Sequence, residues 1–570
     1  MRICGIKLTH DGAIALVEDG RLVFSIEQEK RSNNPRYHVV DNLDAIVAAL
    51  AEHGLDARDV DEFVIDGWGG EVESQFEVAS GAALITLKGA PYLELHANAL
   101  LTSRAGSGLM LDGKCFSYRS YSHVTGHVAS AYSTSPFARA GQPAFCLVWD
   151  GGMFPRLYYV ERRGARFLDC LFPIIGSAYG AAGHHFGPYK RADRTGWADR
   201  NVAGKLMAYI ALGSVDEEIV SVFRELYEER FAAQTRPPRR CGPDVNSMHA
   251  AMAAAHEFFD ASVLRMQTKS DEDVLASFHY FLERLLVREM ALRWERHSHL
   301  AGSRNLCIAG GCGLNIKWNS ALRASGLFDD VWVPPFPNDS GSAIGAACSA
   351  IAEQEGFMSL EWSVYSGPAL QHSEMPSEWK GTPCSMHELA IILANNEPVI
   401  FLAGRAELGP RALGSRSILA AATSAEMKDH LNDIKLREDF RPVAPICLED
   451  RAQDIFSPGT PDPYMLFDHR TRAEWRDKVP AVVHLDGSAR LQTIARTSGH
   501  KVAELLVEYE KLTGIALLCN TSANLHGCGF FPDAASACRW GRVEHIWCDG
   551  LLWTRNPRLS NCEPSGLFSG

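Results

Sequence analysis

The chain has 570 residues, of which 46% are hydrophobic and 22% charged, and its formal net charge is −13. This composition excludes a disordered, collagenous or coiled-coil chain, and at about 100–200 residues per domain the length predicts two or three domains. No apolar run approaches the roughly 18 residues of a membrane span, and the start does not resemble a secretion signal. The 15 scattered cysteines favour a reducing cytoplasm, and the acidic balance argues against a long nucleic acid as partner.

The first strands predicted along the chain are residues 3–7, 13–17 and 22–26, with Asp19-Gly20 as a two-residue hairpin turn. A second strand–turn–strand unit begins at residues 144–150 and returns through 157–160. Each unit has an acidic residue and glycine at its first turn. This similarity indicates a duplicated fold with a cleft between the halves, and coincidence is the alternative.

Farther along, apolar residues at helical spacing predict an amphipathic helix over 274–286, and residues 306–309 form a buried strand. A proline-rich linker over 356–383 separates domains 1–355 and 384–570, with the composition changing from about residue 375. The second domain is expected to contain strands at 398–403, 444–448 and 515–520 and helices at about 385–395, 425–433 and 500–513. Residues 236–240 are expected to be an exposed loop.

His123 and His127 are four residues apart and would share one face of a helix, so their imidazoles could bind one metal ion. Asp150, at the end of a predicted strand, and Asp339, at a loop-to-helix junction, are candidate further ligands. Two histidines with carboxylates suit iron(II) or zinc. The alternative is a pair of ordinary surface or core histidines.

Two glycine turns, Asp150-Gly151-Gly152 and Gly310-Gly311, allow a phosphate to approach the backbone, although such turns are often only turns. His10 lies at the tip of the first hairpin, where an imidazole can accept a proton near pH 7. It can equally be a polar turn residue.

The second half carries cationic side chains among glycine, proline and small residues, a setting typical of binding phosphate or carboxylate oxygens. Because the net charge is −13, we expect a small anion there; ion pairs with Glu407, Glu438 or Asp486 are the alternative. The candidates are Arg405, Arg411, Arg416, Lys435, Arg437, Arg441 and Arg490, with Asn520 and Ser522 nearby.

A series of motifs in chain order resembles the NodU/TobZ-type O-carbamoyltransferases. They are AGKLM at 203–207, LCIAGGCGLN at 306–315, DSGSAIGAA at 339–347, GPRALGSRSIL at 409–419, FRPVAP at 440–445 and NTSAN at 520–524. The resemblance implies an α/β chain: a duplicated actin/sugar-kinase-like, TsaD-like first domain that transfers carbamoyl groups, and a YrdC-like second domain that forms carbamoyl adenylate. It also implies Fe(II) held by His123, His127, Asp150 and Asp339.

The implied reaction has two stages. Carbamoyl phosphate and ATP, as its Mg²⁺ complex, yield carbamoyl adenylate in the second domain, and an acceptor hydroxyl then takes the carbamoyl group in the first. The resemblance gives His10 the role of base and Lys435, Arg441 and Arg490 the binding of carbamoyl phosphate. It assigns acceptor binding to Lys7, Asp11, Arg36 and His38. It assigns nucleotide and adenylate binding to Gly151, Gly152, Lys205, Gly310, Gly311, Asn338, Arg411, Arg416, Arg441, Arg490, Asn520 and Ser522.

Two other functions compete with this one: threonylcarbamoyl transfer to transfer RNA, and a nucleotide-gated chaperone or filament module. The expected partners are small molecules, with no nucleic acid or membrane, and a homodimer is left open. The acceptor is open too: an antibiotic sugar, an aminoglycoside, a nodulation oligosaccharide or a polyketide.

Overall fold

The computed structural model describes residues 1–70, 72–96, 98–194, 196–231, 245–300 and 302–556. The loop predicted over 236–240 lies outside these residues. Where the structure describes the chain, none of its helices is both long and apolar enough to cross a membrane.

The first domain contains two main sheets and a separate hairpin. Its strands are β1 Arg2–Lys7, β2 Ala13–Glu18, β3 Arg21–Glu27, β4 Glu62–Asp66, β5 Ser74–Ser80, β6 Ala83–Gly89, β7 Arg104–Leu111, β8 Lys114–Tyr121, β9 Ala144–Val148, β10 Arg156–Glu161, β11 Gly164–Cys170, β12 Asn305–Ala309 and β13 Asp330–Trp332.

The two sheets have the same topology. The first has strand order β3-β2-β1-β4-β8-β7 and the second β11-β10-β9-β12-β13. In both, three antiparallel strands are followed by two strands parallel to the first one. The first sheet has one more strand, β7, antiparallel to β8 at its edge. Asp19 and Gly20 both have positive φ (48° and 77°), as the predicted hairpin turn requires. The duplication is confirmed, and the first domain has the actin/sugar-kinase-like arrangement.

Helices cover the sheets and fill the space between them. They are α1 Asp44–Ala51, α2 His123–Ser133, α3 Pro136–Arg139, α4 Ser177–Ala181, α5 Val202–Tyr209, α6 Glu217–Phe231, α7 Val245–Arg265, α8 Asp271–His297, α9 Ile316–Ala324 and α10 Ser342–Glu355. The predicted amphipathic helix is α8, whose N-cap Ser270 accepts the N–H of Asp273.

Helices α2 and α10 approach each other unusually closely. A Cβ at Gly345 would lie 2.0 Å from the carbonyl oxygen of Gly126, and a Cβ at Gly5 would lie 2.0 Å from the carbonyl oxygen of Ala343. Only glycine permits backbone contact at this distance. The start of α2 therefore lies beside the start of α10 and the carboxyl end of β1.

The second domain has a mixed sheet of order β14-β24-β23-β15-β16-β22-β17-β21 and a small sheet β18-β19-β20. The strands are β14 Trp379–Pro383, β15 Val399–Leu402, β16 Arg416–Ala420, β17 Ala444–Leu448, β18 Phe456–Ser457, β19 His469–Thr471, β20 Ser488–Ala489, β21 Gln492–Ile494, β22 Leu517–Ser522, β23 His545–Cys548 and β24 Leu551–Arg555. The helices are α11 Met386–Ala394, α12 Glu426–Lys435, α13 Ala452–Ile455, α14 Ala473–Arg476, α15 Lys501–Thr513 and α16 Ala534–Trp540. The predicted strands and helices of this domain are confirmed.

The linker predicted over 356–383 is packed rather than free. Leu360 donates its N–H to Ser133, and Val364 accepts the N–H of Leu408. Its last five residues form β14, which pairs with β24 at the sheet edge. The sequence did not predict this strand because it is short, contains glycine and proline, and shows no alternation of buried and exposed side chains. Lys317 on α9 adds a contact between the domains, donating to Asp468 and Asp486 at 3.2 and 2.7 Å.

Candidate active site

Four buried side chains converge near the starts of α2 and α10. His123 and His127 are one turn apart on α2, Asp150 follows β9, and Asp339 precedes α10 by three residues. Their ligand atoms lie within 4.8 Å of one another. The two histidine Nε2 atoms are 3.2 Å apart and lie 3.3 and 3.5 Å from Oδ1 of Asp339. The structure thus brings together all four residues named from the sequence.

The donor set fits a divalent transition metal ion. Nδ1 of His123 lies 2.7 Å from Asp66 and donates to it, so the Nε2 of a neutral His123 carries the lone pair that faces His127 and Asp339. Two imidazoles with two carboxylates suit iron(II) or zinc. Although burial and Lys7 disfavour a charged imidazole, Asp339 and Asp66 raise the pKa of His123 to about 9. The cluster therefore attracts a positive charge, either a proton or a metal ion.

Lys7 lies behind this cluster and does not face an acceptor. Its side chain is 1% exposed, and its Nζ lies 3.0 Å from both Asp66 and Asp339 and 4.0 Å from the centre of the Trp68 ring. The structure corrects the prediction that Lys7 binds the acceptor, because the residue is on the last position of the buried strand β1. Its ammonium group balances the excess of carboxylates.

The glycine turns hold Asp150 in place. Gly311 donates its N–H to Oδ1 of Asp150 at 2.7 Å, and Tyr92 donates its hydroxyl to Oδ2 at 2.6 Å. Gly310 has φ +85°, and a Cβ there would lie 2.3 Å from the carbonyl oxygen of Trp149. The turn at Gly310 thus fixes the orientation of Asp150, and its proposed contact with a nucleotide stays a prediction, as does that of Gly151 and Gly152.

His10 lies at the open side of the cluster. Its Nδ1 is 2.9 Å from Asp11 Oδ2, its Nε2 is 3.6 Å from Asp339 Oδ2, and its side chain is 18% exposed. Asn338 donates to the other Asp11 oxygen at 3.3 Å. Asp11 thus orients His10 and Asn338 rather than standing free for an acceptor. A half-buried imidazole held by a carboxylate is suited to accept a proton from an incoming hydroxyl.

A second cluster, in the second domain, is cationic; we call it the cation cluster. It consists of Arg411, Lys435, Arg437, Arg441 and Arg490 together with Arg36 of the first domain. Burial and neighbouring cations lower the pKa of Arg490 to about 10 and of Arg437 to about 9, and they hold the pKa of Arg411 and Lys435 well below the usual range. The positive charge is therefore only partly balanced within the protein, by Glu438 beside Arg441, and the remainder suits a polyanion.

The two clusters are joined by residues 36–38. Arg36 faces the cation cluster instead of the acceptor side to which it was assigned, because its backbone N–H is bonded to Gly527 of the second domain. The carbonyl of Tyr37 accepts the N–H of Asp11 at 3.3 Å, next to His10. His38 lies near the surface, with its Nε2 3.9 Å from Asp41 Oδ2. The backbone from Arg36 to His38 thus borders both the cation cluster and the histidine site.

Arg416 is not part of the cation cluster. Its side chain is 1% exposed, and its guanidinium donates to the carbonyl oxygens of Ala403, Gly404 and Ser415 at 2.9–3.0 Å and of Pro368 at 3.4 Å. The structure corrects the prediction that this residue contacts the adenylate. Arg416 begins β16, so its side chain turns inward, whereas Arg411 precedes the strand on the loop.

Other predicted residues lie at the edge of the cation cluster. Lys435 donates to the carbonyls of Ser522 and Asn524 and to the Asn524 side chain, so it contributes charge rather than free N–H groups. Asn520 is buried and donates to Ala412 and Gln492. The hydroxyl of Ser522 donates to Asn524.

Lys205 lies at the rim of the cation cluster, where its Nζ is 3.0 Å from Glu438, which also lies 3.7 Å from Arg441. Arg405 pairs with His53 and Ser366, away from the cluster. Beside the rim an open cleft of about 530 Å³ is lined by Lys205, Asn432, Asp433, Leu436, Arg437, Glu438 and His526. It gives a small molecule access to the cation cluster.

Two residues of the site were missed by sequence reasoning. Asp66 ends β4, which runs parallel to β1, so the carboxyl end of a buried strand was the signal that could have found it. Tyr92 lies in the irregular segment between β6 and β7 and carries no such signal. Both hold in place side chains of the four-residue group His123, His127, Asp150 and Asp339, which we call the metal cluster.

We expect Gly345→Ala to damage the metal cluster. The added methyl would meet the Gly126 carbonyl and push α10 from α2, so we expect a loss of about 1–3 kcal/mol of stability and weaker binding of added Fe(II) or Zn²⁺. Thermal unfolding and metal titration measure both. Gly204→Ala on α5 is the matched control, since nothing lies within 4 Å of its added Cβ; equal effects of the two substitutions would contradict the prediction.

Comparison with known proteins agrees with this architecture. Residues 2–348 match the family model described as carbamoyltransferase N-terminus, and residues 390–551 match that described as carbamoyltransferase C-terminus. The chain belongs to the carbamoyltransferase family and is an enzyme of that class.

Relatives match along the whole chain. A protein named Nodulation protein U from Rhizobium tropici is 70% identical over 567 residues, covering 100% of this chain and 98% of the relative. The 3'-hydroxymethylcephem-O-carbamoyltransferase of Streptomyces clavuligerus is 33% identical over 569 residues, covering 97% and 99%. A solved structure of the activator of 2-hydroxyisocaproyl-CoA dehydratase from Clostridium difficile matches with a TM-score of 0.31 and 14% identity, over 62% of this chain and 95% of that one. That score is too low to bear on function.

Proposed function

We propose that this chain is an ATP-dependent O-carbamoyltransferase that forms carbamoyl adenylate at the cation cluster and transfers the carbamoyl group to a hydroxyl of a small molecule beside His10. The observation that carries the proposal is the position of Arg36–His38: one short segment borders both clusters. A reactive intermediate then moves a short way within the protein and meets little water.

The first stage gathers phosphates. Carbamoyl phosphate loses its phosphate with consumption of one water, and the resulting carbamate attacks the α-phosphate of MgATP, so that carbamoyl adenylate, pyrophosphate and phosphate result. Arg411, Arg441 and Arg490 supply forked N–H donors where negative charge develops. Because these cations lower one another's pKa, a bound polyanion relieves their repulsion.

The second stage needs a base and an oriented acyl group. The acceptor oxygen attacks the carbamoyl carbon, its proton passes to Nε2 of His10, and the bond to AMP breaks. Asp11 accepts the hydrogen bond from Nδ1 and stabilises the imidazolium that forms. His123, His127, Asp150 and Asp339 would hold an iron(II) ion, which when bound supplies Lewis acidity that polarises a carbonyl or phosphoryl oxygen.

The acceptor is proposed as a hydroxylated secondary metabolite. The cephem enzyme among the relatives is named for a hydroxymethyl acceptor, which fits a base poised for a hydroxyl proton. The net charge of −13 would aid capture of a polycationic aminoglycoside by electrostatic steering.

The test is to incubate the protein with MgATP, carbamoyl phosphate and iron(II), alone and with a panel of hydroxymethylcephem, sugar and aminoglycoside acceptors. We expect pyrophosphate release in every case and, with the right acceptor, the mass gain of one carbamoyl group replacing hydrogen. No pyrophosphate release would refute the adenylate. Salt-sensitive binding of transfer RNA, followed by its modification, would favour the threonylcarbamoyl alternative.

Removing bound metal is expected to separate the two stages. After treatment with a chelator, its removal and return to a buffer with MgATP, transfer to the acceptor should fall by roughly a hundredfold or more, while pyrophosphate release without acceptor should continue, because the phosphates bind at the cation cluster and not at the metal cluster. Restoring iron(II) should restore transfer. Equal loss of both stages would contradict this division of labour.

A further inference from the structure

A buried ion pair of the first domain forms hydrogen bonds to the second-domain loop that carries Arg411. Glu27 ends β3 and Lys30 follows it, and their side chains are 5% and 0% exposed. Nζ of Lys30 donates to Glu27 Oε1 and to the carbonyl oxygens of Glu407 and Gly409, each at 2.7 Å. Glu27 Oε1 also accepts the N–H of Gly409 at 2.8 Å. Both polar groups of Gly409 are thus bound by side chains of the first domain.

The loop is also held from within and from the opposite side. Oε1 of Glu407 accepts the N–H groups of Leu413, Ser415 and Arg416 at 2.6–3.1 Å. Gly409 has φ +81°, and a Cβ there would lie 2.1 Å from the carbonyl oxygen of Pro335. Pro335 leads directly to the segment of Asp339. The backbone of Gly409 is therefore enclosed, and Arg411 follows it by two residues.

Stability alone does not explain this pair. Burial raises the pKa of Glu27 to about 7 even though Lys30 opposes that shift, which shows how costly the charges are in this place. An apolar pair of similar size would fill the interface between the domains without the free-energy cost of burying two charges. Only charged or polar side chains, however, make directional hydrogen bonds to three backbone groups of the loop.

We propose that Glu27 and Lys30 are positioning residues for Arg411, so that the anion site of the second domain is complete only with the first domain docked against it. This inference rests on the proposed function. It also explains why the two domains belong to one chain: formation of the adenylate requires the domain that consumes it.

The test compares Lys30→Met with the wild-type chain. Because a displacement of about 1 Å in a catalytic group can cost roughly a hundredfold in rate, we expect kcat for pyrophosphate release to fall by about that factor. We also expect KM for carbamoyl phosphate and the dissociation constant for inorganic pyrophosphate, measured by calorimetry, to rise at least about tenfold. Partial unfolding reduces the fraction of active protein, which lowers the apparent kcat but leaves KM unchanged. A change in KM therefore indicates misplacement of the binding groups.

Lys88→Met is the matched control: Lys88 is an exposed first-domain lysine paired with Glu73, and its loss should leave all three quantities unchanged. Wild-type KM and pyrophosphate affinity in folded Lys30→Met would overturn the proposal. If that variant does not fold, the double variant Glu27→Leu with Lys30→Met decides, since an apolar pair fills the space between the domains without the cost of buried charge but makes none of the hydrogen bonds to Glu407 and Gly409: a raised KM supports positioning and an unchanged KM refutes it. A wild-type chain that releases no pyrophosphate refutes the proposed function instead, and the calorimetric comparison still tests the positioning.

Discussion

Replacing His10 by alanine is expected to lower carbamoyl transfer to the acceptor by roughly 100- to 10,000-fold, the range for loss of a general base, while pyrophosphate release continues at the wild-type rate. The reason is the geometry of the imidazole. Asp11 holds its Nδ1 at 2.9 Å, and its Nε2 faces the metal cluster, 3.6 Å from Asp339. Among the described residues its polar partners are Asp11 and Asp339, neither of which belongs to the cation cluster.

The measurement is a paired assay of pyrophosphate release and carbamoylated acceptor in the same reaction. In the variant, the adenylate should be formed and then hydrolysed, so the ratio of carbamoylated product to pyrophosphate should fall sharply. His387→Ala provides the control, since His387 is 56% exposed in the second domain and pairs only with Glu508 among the described residues. An unchanged ratio for His10→Ala would remove His10 from the role of base.

The convergence of four side chains could be predicted from the sequence because each of them sits at a position with a local signal. His123 and His127 follow from helical spacing, Asp150 from the end of an apolar strand and Asp339 from a loop-to-helix junction. Each signal depends on a few neighbouring residues. Their convergence depends on Gly126 and Gly345, whose role appears only when α2 and α10 are packed together.

Local signals fail where a role depends on contacts distant in the chain. Arg411 and Arg416 belong to one motif and have the same chemistry, yet one faces the cation cluster and the other bonds four backbone carbonyls. Arg36 lies far from the second domain in sequence, and only its contact with Gly527 brings it there. Lys7 was assigned to the acceptor, although β1 directs it into the core.

Replacing Arg411 by methionine is expected to slow adenylate formation strongly and, at the same time, to stabilise the protein without ligand. Burial, together with Arg490, Arg36 and Arg441, holds the pKa of Arg411 well below its usual range. A lowered pKa in a base means that folding disfavours its charged form. Arginine is charged in the unfolded chain at neutral pH, so burying this charge lowers the free energy of unfolding throughout the neutral range. The substitution by methionine removes the charge and with it this loss of stability.

The rate of pyrophosphate release should fall by roughly 100- to 1,000-fold, as for loss of a donor to developing charge, and the melting temperature without ligand should rise. Inorganic pyrophosphate should raise the melting temperature of the wild type and have little effect on the variant. Metal content should not change, because Arg411 makes no contact with the metal cluster.

Arg416→Met is the matched comparison from the same motif and should behave in the opposite way. Its loss leaves the buried carbonyl of Ala403 and the more exposed carbonyl of Gly404 without their donor, while those of Ser415 and Pro368 still accept the N–H groups of Ala403 and Ala406. A buried unsatisfied group costs about 1–3 kcal/mol, so the melting temperature should fall. The opposite outcome would be an Arg411→Met variant that melts at a lower temperature and releases pyrophosphate faster than Arg416→Met. In that case Arg411 would not be part of the anion site. An arginine whose removal stabilises the fold is retained for what it binds, and this pair of substitutions separates that case from an arginine that the fold itself requires.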